Sequence, residues 1–306
     1  MFLCVAVMIA ILLSTCDAYE EIAHFTFRQL DICWKGHPPV FICGLSHRSF
    51  TQGQQLPISG DPHDWVGITL QAVEELHARG VAWFYLILDD HPPFGPCNED
   101  YLNCDLPATA ERANAIQVNL QGWDQFQPQS GEIQDDALLH WQCNKPDFRW
   151  KFSLHPGFWH TETLRLLLSK LRETSFAAIT ARAFEGLADT ACRTLNPSLC
   201  TQTYRIRGDG YTARRGWFER RNTRMMIRFC IHLIRGSTRL AGEKALNRLD
   251  KRLLPYLGYL NGPYPMFWSG LVRQGRLHED ALRFLEWIGR CDLVREIRHL
   301  KLSGSS

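Results

Sequence analysis

The chain has almost no surplus of either charge: 34 Lys and Arg stand against 32 Asp and Glu in 306 residues, a formal balance of +2. That absence excludes the broad electrostatic field that gathers nucleic acid or an anionic membrane surface. The 11 cysteines contain no Cys-x-x-Cys pair or other zinc spacing, and their number is odd. Thiols scattered in this way read as small core residues kept in a reduced compartment. No repeat and no low-complexity segment is present.

Also missing is any Lys or Arg before Arg28, so the apolar opening from Met1 to Leu13 has no positive n-region of a secretory signal. The run is also short of the roughly 20 residues that a membrane-crossing helix needs. A buried first strand, about Val5 to Leu13, followed by a Ser14-Thr15-Cys16-Asp17 turn into a helix, accounts for these residues. A rival reading uses the same residues. Cys16-Asp17-Ala18 passes for a signal-peptidase site and Leu13-Ser14-Thr15-Cys16 for a lipoprotein box, which gives a secreted or lipid-anchored glycan-binding protein with paired cysteines.

What the chain does contain is ordinary globular material, 45% hydrophobic and 22% charged, enough for one large domain or two small ones. The first 90 residues alternate strand and helix. Asp17 is placed to cap a helix with Ile22, Phe25, Leu30 and Cys33 or Trp34 on one side, ending near Gly36-His37-Pro38-Pro39. Val40-Phe41-Ile42-Cys43 reads as a second strand. Gly60 to Asp64 opens a second helix with Val66, Leu70, Val73 and Leu76 at helical spacing, closed by Gly80. Val81 to Leu88 then reads as a strand buried on both faces. This order predicts parallel pairing with right-handed crossovers.

The most informative stretch is the end of that third strand, Leu86-Ile87-Leu88-Asp89-Asp90. A buried strand delivers both carboxylates to a sheet edge, where α/β folds place their ligands. Adjacent carboxylates stay ionised together when solvated or when a cation lies between them. The plainer reading is a turn or cap before Pro92-Pro93.

Further along, a helix is expected from Leu106 to about Asn114, a strand over Ile116 to Leu120, a polar excursion from Gly122 to Asp136, and a strand over Trp150 to Leu154. A Leu-rich helix follows from Thr161 or Thr163. The texture changes after Gly186, loops fall at Asn196-Pro197 and Gly208-Asp209-Gly210, and one amphipathic helix spans about Glu279 to Leu300. The basic stretch 214–252 reads either as the solvated face of core helices or as a contact for diphosphate, an anionic acceptor or a membrane surface. His155, His160 and His232 show no metal-ligand spacing.

Three segments, in order, resemble bacterial glycosyltransferase-like proteins of the GT-A type: Ser14-Thr15-Cys16-Asp17-Ala18-Tyr19, the strand end Leu88-Asp89-Asp90, and Phe152-Ser153-Leu154-His155-Pro156-Gly157-Phe158-Trp159. Ala181-Arg182-Ala183-Phe184-Glu185 follows at about the family spacing, so the likeness covers roughly residues 5 to 190. Trp268 to Gly275 matches only vaguely. The resemblance implies an α/β fold, a Rossmann-like mixed sheet flanked by helices, over 1–190. A mainly helical basic region would follow over 191–302, with a tail at 303–306.

The resemblance further implies transfer of a sugar from a nucleoside-diphosphate sugar to an acceptor hydroxyl, on a glycan or lipid-linked acceptor, in a cytoplasmic or membrane-peripheral enzyme of surface polysaccharide assembly. A DxD-like site holds a divalent metal, Mn2+ or Mg2+, which bridges the two phosphates. Asp90 and Asp89 take that position, with Asp90 the first choice as direct ligand. The adjacent Asp-Asp and the following His91 depart from Asp-x-Asp, and His91 is then a further ligand or a phosphate contact. Asp17, with Ser14, is placed for base or ribose hydroxyls, or is a plain helix cap. Glu185 is the general base of an inverting transfer, or an ordinary surface glutamate. His155, Gly157 and Trp159 shape the sugar or acceptor pocket, or Trp159 is core. A relative that has lost catalysis and only binds nucleotide is the remaining reading.

Overall fold

The computed structural model describes residues 8–120, 133–135, 140–143, 151–175, 177–206, 263–267 and 270–302. The expected loop at Gly208-Asp209-Gly210, the basic stretch 214–252, Trp268-Ser269, the tail 303–306 and most of the polar excursion lie outside them.

The strands are β1 (Met8–Ser14), β2 (Val40–Cys43), β3 (Gln54–Gln55), β4 (Val81–Leu88), β5 (Gln117–Asn119), β6 (Ile133–Asp135), β7 (His140–Cys143), β8 (Gly157–His160) and β9 (Thr203–Ile206). They form one mixed sheet in the order β3-β2-β1-β4-β8-β5-β9-β7-β6. The first four are mutually parallel. β8 then runs antiparallel between β4 and β5, while β5 and β9 are parallel. This reversal puts the start of β8 beside the end of β4, with Gly157 opposite Leu86.

Helices α1 (Glu20–Cys33) and α2 (Trp65–Ala78) connect the parallel strands and cover opposite faces. Strand alternation explains the split. Ile11 and Leu13 of β1 join Ala23, Phe27 and Leu30 of α1 in one core layer. Ala10 and Leu12 join Val66, Ala72, Val73 and Leu76 of α2 in the other. Helices α4 (Thr161–Thr174) and α5 (Ala181–Leu195) extend that second layer through Leu164, Leu168 and Phe184. Leu12 has no exposed surface, and its truncation to Ala is expected to cost about 2–5 kcal/mol.

α3 (Leu106–Arg112) precedes β5. A hairpin of β10 (Val272–Arg273) and β11 (Arg276–Leu277) leads into α6 (Glu279–Trp287) and α7 (Cys291–Arg298). These pack on Phe25 of α1 and on Phe94 as a third, smaller core.

Several expectations are corrected. Asp17 does not cap α1; a single 3-10 turn, Asp17–Tyr19, intervenes, and no side chain caps the helix. Asp64 does cap α2, accepting the Gly67 N–H at 3.2 Å. No strand forms over 151–154; the strand lies at Gly157–His160, and Lys151 instead turns its buried amine onto Asp189. α5 runs through Gly186, and β9 pairs with β5, so the sheet continues past residue 190. The last helix is two, parted at Gly289, whose φ of +79° ends α6 in the left-handed region. Cys16, Cys33, Cys43, Cys97, Cys104, Cys192, Cys200 and Cys291 are free thiols. Among the described residues no helix is long and apolar enough to cross a membrane.

Candidate functional site

β1 passes to α1 on one face, and β4 arrives from α2 on the other. The chain therefore diverges between the carboxyl ends of β1 and β4, the crevice in which open α/β sheets bind ligands. Removing the first 18 residues would delete β1 and with it one wall of this crevice.

Asp89 is built into the wall rather than offered from it. Its N–H donates to the Ser14 carbonyl at 3.0 Å, and its carboxylate accepts the Thr15 hydroxyl at 2.7 Å. Its own carbonyl accepts the Thr26 hydroxyl of α1. Burial, followed by the negative charge of Asp90, pushes the Asp89 carboxyl well above the usual range, and the Thr15 hydrogen bond opposes this. Ser14 is committed too, since its hydroxyl accepts the Trp65 indole N–H at 3.1 Å.

Asp90 has the more open carboxylate. Its Oδ1 lies 2.7 Å from His91 Nδ1. The ring N–H is not aligned on that oxygen, and neither nitrogen of the buried His91 ring has a hydrogen-bond partner among the described residues. The His91 backbone is fixed, with its N–H on the Leu88 carbonyl and its own carbonyl accepting the Tyr264 hydroxyl at 2.9 Å. Its ring meets His155 edge-on at 5.4 Å.

The reversed strand supplies the opposite wall. His155 Nδ1 shares a 2.6 Å hydrogen bond with the Ser153 hydroxyl. Glu185 Oε1 accepts the Leu154 N–H at 2.8 Å and lies 3.4 Å from the same Ser153 hydroxyl. Burial raises the pKa of the Glu185 carboxyl above its ordinary value and so weakens its acidity, against the pull of Leu154, Ser153 and then His91. Asp90, His91, His155 and Glu185, spread over 96 positions of sequence, thus form one polar row from the carboxyl end of β4 past the start of β8 to α5.

The other expected residues lie elsewhere. Asp17 sits at the exposed rim, where it accepts the Ser46 N–H at 2.8 Å; that N–H, the Ser46 hydroxyl and His47 hold its carboxyl below the usual range. Trp159 is 1% exposed and lies near Phe152 and Phe184 in the core, so its faces are not open to a sugar. Gly157 lies where a Cβ would stand 3.2 Å from the Trp159 indole nitrogen.

Residues to which the sequence reading gave no role in the site complete the surroundings. Thr15 and Thr26 anchor Asp89. Gly270 and Leu271 reach Asp90 from the far end of the chain, with the Leu271 N–H on the Asp90 carbonyl at 2.7 Å. His278 is buried with Nε2 unpartnered among the described residues; burial lowers its basicity, opposed by Asp280 and by Asp90. No local sequence signal marks these contacts, because Thr15 and Thr26 lie 74 and 63 positions from Asp89 and Gly270 and Leu271 lie about 180 from Asp90.

Among the described residues no group of three or more His, Cys, Asp or Glu side chains could hold a metal ion. Magnesium-type sites usually take one or two carboxylates and fill the remaining positions with water and substrate phosphate. Asp90 suits such a share; Asp89, turned to Thr15, does not.

No protein-family model matches the chain, and no curated protein does. Thirteen solved chains match it. One is a glycosyltransferase involved in the glycosylation of the major capsid of PBCV-1, 13% identical over 57% of this chain and 72% of that one, with a TM-score of 0.28. A likeness of that size carries no argument about activity.

Proposed function

We propose that the protein is a glycosyltransferase that binds a nucleoside-diphosphate sugar in the β1–β4 crevice and passes the sugar to an acceptor hydroxyl. The observation that carries this reading is the polar row itself: a buried carboxyl post at Asp89, an open carboxylate at Asp90, and Glu185 on the facing wall with its acidity suppressed. A divalent cation, held on the protein side by Asp90, would neutralise charge on the departing diphosphate.

The protein's own groups do the rest. Asp89 fixes the strand end so that Asp90 is presented without rotation. His91 Nε2, which has no hydrogen-bond partner among the described residues, suits a phosphate oxygen. Glu185 takes the acceptor proton on its second carboxylate oxygen as the new C–O bond forms at the anomeric carbon. The old bond to phosphate breaks, and the diphosphate leaves with its electron pair. A base with raised pKa matches this work near neutral pH. The acceptor, on a glycan or a lipid carrier, approaches from the Ser153–His155 side.

A thermal-shift panel of nucleoside diphosphates and their sugars, with and without Mn2+, tests the reading on wild type and Asp90→Ala. One nucleotide should stabilise the wild type in a Mn2+-dependent way and not the variant. Absence of any shift in wild type overturns it.

A further inference from the structure

We propose that Gly270 is a positioning residue for Asp90, so that the carboxyl-terminal segment is a working part of the crevice and not an appendage to it. The inference rests on the reading of Asp90 as the crevice's ligand-binding carboxylate. A Cβ built at Gly270 would lie 2.3 Å from Asp90 Oδ2, 2.7 Å from its carboxyl carbon and 3.1 Å from its carbonyl oxygen. No real side chain tolerates the first two distances, so glycine here is a requirement of Asp90's orientation.

The contact has two sides. Oδ2 is walled by the Gly270 backbone, while Oδ1 stands 2.7 Å from His91 Nδ1. The main chain beneath is fixed by the Leu271 N–H on the Asp90 carbonyl, and the His91 carbonyl by the Tyr264 hydroxyl. Further along, Phe94 donates its N–H to the Pro265 carbonyl at 2.8 Å, and Asn98 to Pro263 at 2.9 Å. The loop after β4 is therefore tied at four points to residues 263–265 and 271. Rotating Asp90 requires Gly270 to move, and Gly270 adjoins one of those ties.

Gly270 also has a φ of +76°, so any side chain there carries backbone strain as well as the clash. Gly275, at φ +73° in the hairpin turn with nothing within 4 Å of a built Cβ, separates the two effects. Gly270→Ala and Gly275→Ala are compared by urea unfolding in the wild-type and Asp90→Ala backgrounds. If Gly270 positions the carboxylate, Gly270→Ala destabilises the wild type more than Gly275→Ala does, and the excess falls away in Asp90→Ala. An equal effect in both backgrounds overturns the proposal.

A second readout concerns ligand. In folded Gly270→Ala, the gain in affinity that Mn2+ gives for UDP, GDP, CDP or ADP should fall at least tenfold, with metal-free affinity unchanged; an unchanged gain overturns the proposal. The coupling to Asp90 is read without any nucleotide. A clear coupling in a wild type that binds none of the four would therefore sink the transferase reading and leave the positioning role standing.

Discussion

The two walls of the crevice are held by different means. On the β4 wall, Asp89 is tied by main-chain and hydroxyl hydrogen bonds from Ser14, Thr15 and Thr26, and burial suppresses its acidity. On the α5 wall the anchors are charged: the fully buried Lys151 amine meets Asp189, and Glu185 receives the Leu154 N–H. A wall built from main-chain and hydroxyl hydrogen bonds fixes the place at which Asp90 is presented. A wall with a half-buried, weakly acidic carboxyl can change its proton count at little structural cost, as an acid–base group must. The division of labour is between a carboxyl buried within its hydrogen bonds and one that is only partly buried.

That contrast can be broken or sharpened by substitution, most strongly at Glu185. Glu185→Gln keeps the shape and the Leu154 hydrogen bond but loses the proton acceptor. Turnover should fall about 10²–10⁴-fold with donor affinity unchanged, as steady-state rates and titration would show; a fall in affinity alone would make Glu185 a binding residue.

Asp189→Ala comes next. It takes the Asp189 carboxylate from a buried ammonium, and loss of such a pair costs about 3–5 kcal/mol, reduced here by the partial exposure of Asp189. Urea unfolding should show a loss of about 2–3 kcal/mol. Asp189→Asn should recover part of it.

A smaller, pH-dependent effect is expected at Asp89. A carboxyl whose folded pKa is raised keeps its proton where the unfolded chain has lost it, so stability falls as pH climbs above the unfolded value, about 3.9, toward the folded one. Glu185 adds a slope of the same sign. Asp89→Asn removes the larger slope, so over that range the wild type should lose stability relative to the variant. Parallel curves would show that Asp89 has ordinary acidity. The smallest change is expected at the exposed Asp17, where Asp17→Ala should alter stability by no more than about 1 kcal/mol and nucleotide affinity by less than about tenfold.

The same two walls differ in how readable they are from sequence. β2 and β4 fall at their expected bounds because a continuous apolar run closed by a turn signal has few alternatives. The first strand is described from Met8 and runs on through Ser14, while its expected start near Val5 lies outside the described residues. The second wall was harder. A strand beginning Gly157 after Pro156 looks like a loop, and the apparent strand over Trp150–Leu154 ignores Lys151, whose amine has its partner 38 positions away in α5. Asp90, His91, His155 and Glu185 were each singled out, and the fold brings them together. Their supporting contacts were not legible, because Thr26 and Tyr264, and Gly270 within the vaguely matching stretch, act through tertiary contacts that no local pattern encodes. Trp159 illustrates the converse: an aromatic beside a suspected site was placed in the core by strand alternation.

The most direct test of the crevice as a donor site is release of nucleoside diphosphate from a panel of nucleoside-diphosphate sugars with Mn2+, followed by mass spectrometry for wild type and Asp90→Asn side by side. Release from one donor by the wild type, reduced on the order of 10²–10³-fold in the variant, is the predicted result. Release that survives undiminished in Asp90→Asn, or no release from any donor by a wild type that also binds none of them, would contradict it.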